Sequence, residues 1–265
     1  MKIGFIGCGN MATAMIKGIL SQGKASPEAL MASAKSEQTR RKITQELQIG
    51  CGTNEEVAAF AQVLFLAVKP LFYEEVITQI RHAVKKDTLI VSIAPGKSIA
   101  WLEKTFAFQS GGKIVRAMPN TPALVGEGMT GFCASEAVSE AELALVKDLF
   151  DSFGRSEMVP ERLMDVVTGI AGSSPAYLFM VIEAMADGAV ADGMPRDTAY
   201  RFAAQAVLGS ARMVLESGLH PGALKDMVCS PGGTTIEAVQ VLEEKGLRSA
   251  MIEAVRVCDR KARGE

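Results

Sequence analysis

Aromatic residues, paired cysteines and surplus charge of either sign are all scarce in this sequence. Tryptophan occurs once and tyrosine three times, and the formal net charge is -2. Basic clusters interleaved with aromatics are missing, so nucleic-acid binding is disfavoured. The same charge gives no long-range attraction to an anionic membrane. Cys8, Cys51, Cys133, Cys229 and Cys258 are odd in number and far apart. With no C-x-x-C pair, neither a zinc site nor a disulfide framework is expected, and the thiols read as free in a reducing cytosol. His82 and His220 lie outside every motif and read as surface histidines rather than members of a triad or metal centre.

Long hydrophobic runs are missing as well. No apolar stretch is read as reaching the 18 or so residues that a membrane span needs. Lys2 followed by Ile3–Ile16 superficially resembles a signal peptide, but glycines at 4, 7 and 9 and Asn10 interrupt it, and no convincing cleavage site follows. The expectation is a soluble, cytoplasmic protein without a membrane partner.

What is present is alternation. Residues 2–6, 29–33, 63–67, 88–92 and 113–118 read as short strands that end near glycine, proline or small polar residues. Residues 11–20, 37–47, 71–84 and 99–106 read as helices, with a shorter one at 55–61. This predicts βαβ crossovers and a mostly parallel sheet covered on both faces. A strand at 129–134, a helix at 140–150 and a strand near 156–159 complete an α/β domain over residues 1–160. Strand signals then stop. Residues 161–171, 175–192, 196–217, 222–228, 235–244 and 248–263 read as helices, an all-α second domain over 161–265. Residues 184–191 lack the polar stripe of a surface helix, so that helix is either central to its domain or covered by a second subunit.

Gly7-Cys8-Gly9-Asn10-Met11-Ala12 follows the first strand and opens the first helix. This is G-x-G-x-x-A in the context that makes it a Rossmann-type dinucleotide fingerprint. Gly7 permits the tight turn, Gly9 lets backbone approach a pyrophosphate at the helix N-terminus, and Ala12 stands where helix and strand pack closely. The second strand ends at Ser33-Ala34-Lys35-Ser36, where an NAD-selective domain usually places a carboxylate for the ribose hydroxyls. Hydroxyls and Lys35, with Arg40 and Arg41 on the next helix, suit a 2′-phosphate instead. NADPH is favoured and NADH remains possible. The alternative is an ordinary solvated helix start, with Lys35 contacting nothing.

Four further motifs follow in order: Ala67-Val68-Lys69-Pro70, Arg116-Ala117-Met118-Pro119-Asn120-Thr121-Pro122, Ala171-Gly172-Ser173-Ser174-Pro175-Ala176-Tyr177 and Ser230-Pro231-Gly232-Gly233-Thr234-Thr235. With the glycine loop, they make the chain similar to the pyrroline-5-carboxylate reductases over essentially its whole length. Two departures stand out: Pro95 replaces a small residue in the 93–96 turn, and Ser174 replaces the glycine before Pro175.

The resemblance implies hydride transfer from a nicotinamide to the C=N carbon of 1-pyrroline-5-carboxylate, giving L-proline. It implies a homodimer through interlocking helical domains, often assembled further into decamers. It also implies that Asn54, Ala67, Val68, Lys69, Pro70, Ala94 and Asn120 line the cofactor groove, Lys69 through its backbone. Ser230, Gly232, Gly233 and Thr234 would anchor the substrate, with Glu161 near it and Thr235 hydrogen-bonding the ring nitrogen as the catalytic group. Converging amides at a helix start suit a carboxylate, although Ser and Thr there equally suit a plain cap. For Glu161 the competing reading is a carboxylate favoured by a helix dipole. Two other functions stay open: a β-hydroxyacid dehydrogenase, weakened because residues 175–194 hold no lysine to serve as acid or base, and a non-catalytic NADPH-binding oligomer.

Overall fold

Ile3–Ile6, all four residues buried, form β1 within an eight-stranded sheet. The structure is a computed structural model and describes residues 1–108 and 111–264. The other strands are β2 (Leu30–Ser33), β3 (Gly50–Gly52), β4 (Val63–Leu66), β5 (Leu89–Ser92), β6 (Ile114–Met118), β7 (Gly128–Ala134) and β8 (Gly154–Met158), in the order β3-β2-β1-β4-β5-β6-β7-β8. Only β6 and β7 pair antiparallel. The switch point lies at β1, where β2 follows on one side and β4 on the other. In open α/β sheets that is where a ligand crevice forms.

Both faces of the sheet are covered, which is why its strands read as continuous apolar runs. Ile3 and Phe5 pack with Met15 and Ile16 of α1 (Asn10–Ser21) and Phe150 of α6 (Glu140–Asp151). Ile6 packs on the other face with Val57 of α3 (Asn54–Phe60), Ile77 of α4 (Tyr73–Ile80) and Leu102 of α5 (Ile99–Phe106). β4 divides the same way, Val63 and Phe65 to one side and Leu64 and Leu66 to the other. The Phe5 and Phe65 rings stack with centroids 4.6 Å apart.

The expected elements are present with shifts at their ends, and three features differ. β3 was not expected, because Gly-Cys-Gly offers no β-branched or aromatic residue; it forms by pairing with Met31–Ser33. The helix expected over 37–47 is α2 (Glu37–Arg41) followed by a π turn, Lys42–Glu46. The third difference is the division of the chain. One compact unit is Met1–Ser173 together with the chain from Val257 onward, and the other is Ser174–Arg256.

The helical run does begin at Glu161, but residues 161–173 belong with the sheet. Arg116 of β6, nearly fully buried, donates from Nη2 to Asp165 Oδ1 at 2.7 Å, and its Nη1 lies 3.6 Å from Glu161 Oε1. Asn120 Nδ2 donates to the Ala171 carbonyl at 3.0 Å. Near the other end, Cys258 Sγ and Ser173 Oγ lie 3.0 Å apart.

The second unit holds α8 (Ser174–Ala191), α9 (Arg196–Ser217), α10 (Pro221–Val228), α11 (Thr234–Glu244) and the first part of α12 (Leu247–Arg263). Its buried residues are few and mostly small, among them Ala186, Ala199, Ala203 and Leu224. Phe179 is 62% exposed and Phe202 67%. The run Glu161–Ala191 corrects an expectation, for its 31 residues, with a window of mean hydropathy 1.3, are by length and composition enough to cross a membrane. It is not one regular helix, for a 3-10 turn (Glu161–Leu163), α7 (Met164–Val167) and a π turn (Thr168–Gly172) precede α8.

Removing one partner of a buried charge leaves the other desolvated and unpaired. Asp165→Ala is expected to lower stability by about 2–3 kcal/mol and the thermal midpoint by roughly 5–10 °C, Glu161 supplying partial compensation. An unchanged midpoint in a thermal melt would mean that this pair does not fix residues 161–173.

Candidate active site

The turn from β1 to α1 is shaped by contact with the end of β4. Gly7 has φ +89°, and a Cβ there would stand 2.8 Å from Val68 Cγ1 and 3.0 Å from the Ala67 carbonyl oxygen. Gly9 is the N-cap of α1 in extended conformation, and no side chain caps the helix. A Cβ on Gly9 would meet nothing within 4 Å. The first-turn N–H groups of Asn10, Met11 and Ala12 have no intrahelical acceptor, so they present partial positive charge to this open space. That is the cradle a pyrophosphate needs. Cys8 contributes backbone alone. Its thiol is buried 3.9 Å from Thr13 Oγ1, and burial pushes its pKa up.

Two cavities flank the loop within the sheet-bearing unit. One, of about 360 Å³, lies over Gly7 and is lined by Ser33, Lys35, Arg40, Asn54 and Phe72 among others. The second, of about 340 Å³, runs past Gly9–Ala12 to Ala67–Pro70, Ile93–Pro95 and Met118–Thr121, with Gly172 at its edge. The expected groove residues Val68, Lys69, Pro70, Ala94 and Asn120 are therefore brought together. Met118 and Gly172 were missed, as were Phe72, Glu75 and Gln79 around the first cavity. Phe72 and Glu75 follow directly on the Lys69-Pro70 turn, so chain proximity to that motif was the available signal.

Several of the expected site residues also bond to one another or to nearby backbone. Ser33 Oγ accepts from Gly7 N at 3.2 Å and donates to Asn54 Oδ1 at 2.6 Å. Asn54 Nδ2 donates to Gln79 Oε1 at 2.9 Å. This chain ties the glycine turn to β2, α3 and α4 in succession. Ser36 lines neither cavity and instead caps α2, accepting from Thr39 N at 3.2 Å. Two cationic side chains, Lys35 and Arg40, line the first cavity. Lys35 Nζ sits 5.2 Å from the centre of the Phe72 ring, and Arg40 Nε donates to the Ala34 carbonyl at 3.0 Å.

Asn120 is buried and uses both ends of its amide, Nδ2 to Ala171 O and Oδ1 from Met129 N at 2.8 Å. It shapes the second cavity by holding its wall. Glu161 Oε1 accepts from Ile99 N at 2.7 Å at the start of α5, besides facing Arg116. Glu161 therefore sits at a helix N-terminus, that of α5 rather than of its own helix, where a carboxylate is favoured. Behind it, burial and the Glu161 carboxylate push the Cys133 thiol up to about 12, with Arg116 opposing.

The motif Ser230–Thr235 lies in the helical unit. Gly232 has φ +66°, Gly233 N donates to Ser230 O at 3.0 Å, and Gly233 is the N-cap of α11 without a side-chain bond. A Cβ on Gly233 would collide with Ser230 Oγ. Thr234 and Thr235 are thus the first and second residues of the helix and cap nothing, which removes the capping explanation for them. His220, which sequence reasoning left idle, caps α10 by accepting from Gly222 N at 3.0 Å.

Comparison with known proteins agrees with the geometry of both units. Residues 161–265 match the family model for pyrroline-5-carboxylate reductase dimerisation, and residues 2–96 match that for NADP oxidoreductase, coenzyme F420-dependent. The pyrroline-5-carboxylate reductase of Escherichia coli is 50% identical over 262 residues, covering 98% of this chain and 97% of that protein. The enzyme of Methanosarcina acetivorans is 42% identical over 96% of this chain and 94% of its own. A crystal structure of Plasmodium falciparum pyrroline carboxylate reductase with NADP bound superposes with a TM-score of 0.90 at 32% identity, covering 100% of this chain and 97% of that one. The chain is an oligomer-forming one that acts on a small molecule. Half-identical to such an enzyme from near one end to the other, this chain belongs to the pyrroline-5-carboxylate reductase family.

Proposed function

We infer that this chain reduces 1-pyrroline-5-carboxylate to L-proline with NAD(P)H. The observation that carries the reading is full-length identity to named reductases in a chain whose glycine loop leaves an open anion cradle at α1. When bound, the reduced nicotinamide supplies a hydride to the imine carbon. The C=N nitrogen then takes a proton and becomes a secondary amine.

The chain's own residues divide the remaining work. First-turn amides of α1 hold the pyrophosphate, while Ala67–Pro70, Ile93–Pro95 and Asn120 shape the second cavity for the nicotinamide end. Lys35 and Arg40 favour a 2′-phosphate, and no carboxylate stands at the end of β2, so NADPH is preferred over NADH. Amides of the Gly232–Thr235 turn and the Ser230 hydroxyl anchor the substrate carboxylate. Thr235 directs its hydroxyl at the ring nitrogen. Glu161 in this reading supports the site by holding α5 and Arg116 rather than by touching substrate.

A homodimer through the helical unit is the smallest stable form, since Phe179, Met180 and Phe202 need cover that a single chain does not give. Burying each such side chain contributes about 1.5–3 kcal/mol. Decamers, as the family resemblance suggests, would build on that dimer. A subunit interface accounts for Glu161–Ala191 without a membrane, and the chain works in the cytoplasm. A β-hydroxyacid dehydrogenase needs a group that moves the hydroxyl proton, and α8 carries no lysine for it.

The direct test supplies NADPH and pyrroline-5-carboxylate to the purified protein. NADPH should be consumed with stoichiometric release of proline, and activity on 3-hydroxy acids with none on this imine would overturn the reading. A second test divides labour within Ser230–Thr235. Anchoring a carboxylate helps ground and transition states alike, so Ser230→Ala should mainly raise KM. Nitrogen basicity rises as hydride reaches the neighbouring carbon, so the Thr235 hydroxyl matters more as reaction proceeds. Thr235→Val should cut kcat by roughly five- to thirtyfold, one hydrogen bond of about 1–2 kcal/mol. Because Gly233 is the cap, helix stability should hold in both variants, and an unchanged kcat in Thr235→Val would remove that hydroxyl from the chemistry.

A further inference from the structure

Tyr73, the first residue of α4, is buried with its ring among the apolar residues of one sheet face. Its hydroxyl donates to the Leu66 carbonyl at 2.6 Å and accepts from Ser92 Oγ at 3.3 Å. Leu66 and Ser92 are the last paired residues of β4 and β5. Beyond that rung the two chains separate into Ala67–Pro70 and Ile93–Pro95, both of which line the second cavity. The one backbone bond bridging them there, Ile93 N to Leu66 O, is long at 3.4 Å. The end of β4, the end of β5 and the start of α4 therefore meet on a single phenol oxygen, next in sequence to the two loops that line the cavity.

We propose that Tyr73, assisted by Ser92, is a positioning residue that sets the spacing of the two loops gripping the nicotinamide end of the cofactor. The ring alone would fill the core. The hydroxyl reinforces the distance between strand ends where the ladder is down to the single long bond from Ile93 N to Leu66 O. A buried phenol with no such task would still seek partners for its hydroxyl. The distinction is whether loss of the oxygen is felt by the cofactor or by stability alone. The inference rests on the cofactor reading given above.

Tyr73→Phe keeps the ring and removes the oxygen. NADPH fluorescence titration should show the Kd of the purified variant raised roughly fivefold to tenfold, equally for NADH, since the 2′-phosphate end is untouched. In steady-state assays the KM for cofactor should rise in parallel while the KM for imine stays within about twofold. Ser92→Ala should give the same pattern at roughly two- to threefold and carries the test if Tyr73→Phe does not fold. A folded Tyr73→Phe with a lower thermal midpoint but unchanged cofactor Kd and KM would overturn the proposal, leaving the hydroxyl a core bond only. Wild-type protein that binds NADPH yet leaves the imine unreduced would instead overturn the assigned reaction, and the binding titration would still decide the role of Tyr73.

Discussion

Gly7 passes from β1 to α1 with its α-carbon pressed against Val68 and the Ala67 carbonyl, and the geometry of the cofactor site follows from that contact. Only a residue without Cβ and at ease with positive φ can make the turn there. The turn aims the open N-terminus of α1 along the crevice and brings Ala67–Pro70 beside Gly9–Ala12. Ser33 then receives the Gly7 amide and passes the connection to Asn54 and Gln79. Ser33 and Asn54, which also line the first cavity, thereby tie the glycine turn to the strands and helices around it. Preorganised amides cost little further ordering when an anion arrives, which is the physical advantage of these ties.

The two units meet opposite constraints. The sheet is covered on both faces and buries β1, β4 and β5 completely, while the helical unit leaves large apolar side chains exposed. Such a set of helices is stabilised by association rather than by its own core, consistent with the dimerisation family it matches. Residues 161–173 are drawn to the sheet by the Arg116 ion pairs and by Asn120, so the chain's helical part does not start a separate unit where its strand signals stop.

Much of this was legible in the sequence for identifiable reasons. A strand buried on both faces yields an unbroken apolar run, as in Val63–Leu66, and the glycine loop carries its own backbone requirements. β3 was invisible because Gly50–Gly52 holds no side chain that favours a strand and exists by pairing alone. The π turn at Lys42–Glu46 buries Ile43 alone and holds neither glycine nor proline to mark it, so the sequence could not announce it. Site residues were located better than their tasks. Spacing placed Ser33, and the family resemblance placed Asn54, Asn120 and Glu161, at the site, but the protein partners that hold these side chains are distant in sequence: Gly7, Gln79, Ala171 and Ile99. Tyr73 lay outside every motif, and its position between two strand ends emerges only from the fold.

The central claim is that the open space beside Gly9 is where the cofactor pyrophosphate rests. Gly9 has an extended backbone that any residue adopts, and a side chain there would touch no protein atom within 4 Å at its first carbon. Gly9→Val therefore separates binding from folding in a way that substitution at Gly7 does not. Calorimetric titration of NADPH into this variant, alongside a thermal melt, is the most direct measurement. The account predicts a melt close to wild type and affinity weakened by at least about tenfold, because the valine methyls occupy the cradle. A variant that melts normally and binds NADPH as tightly as the wild type would contradict it.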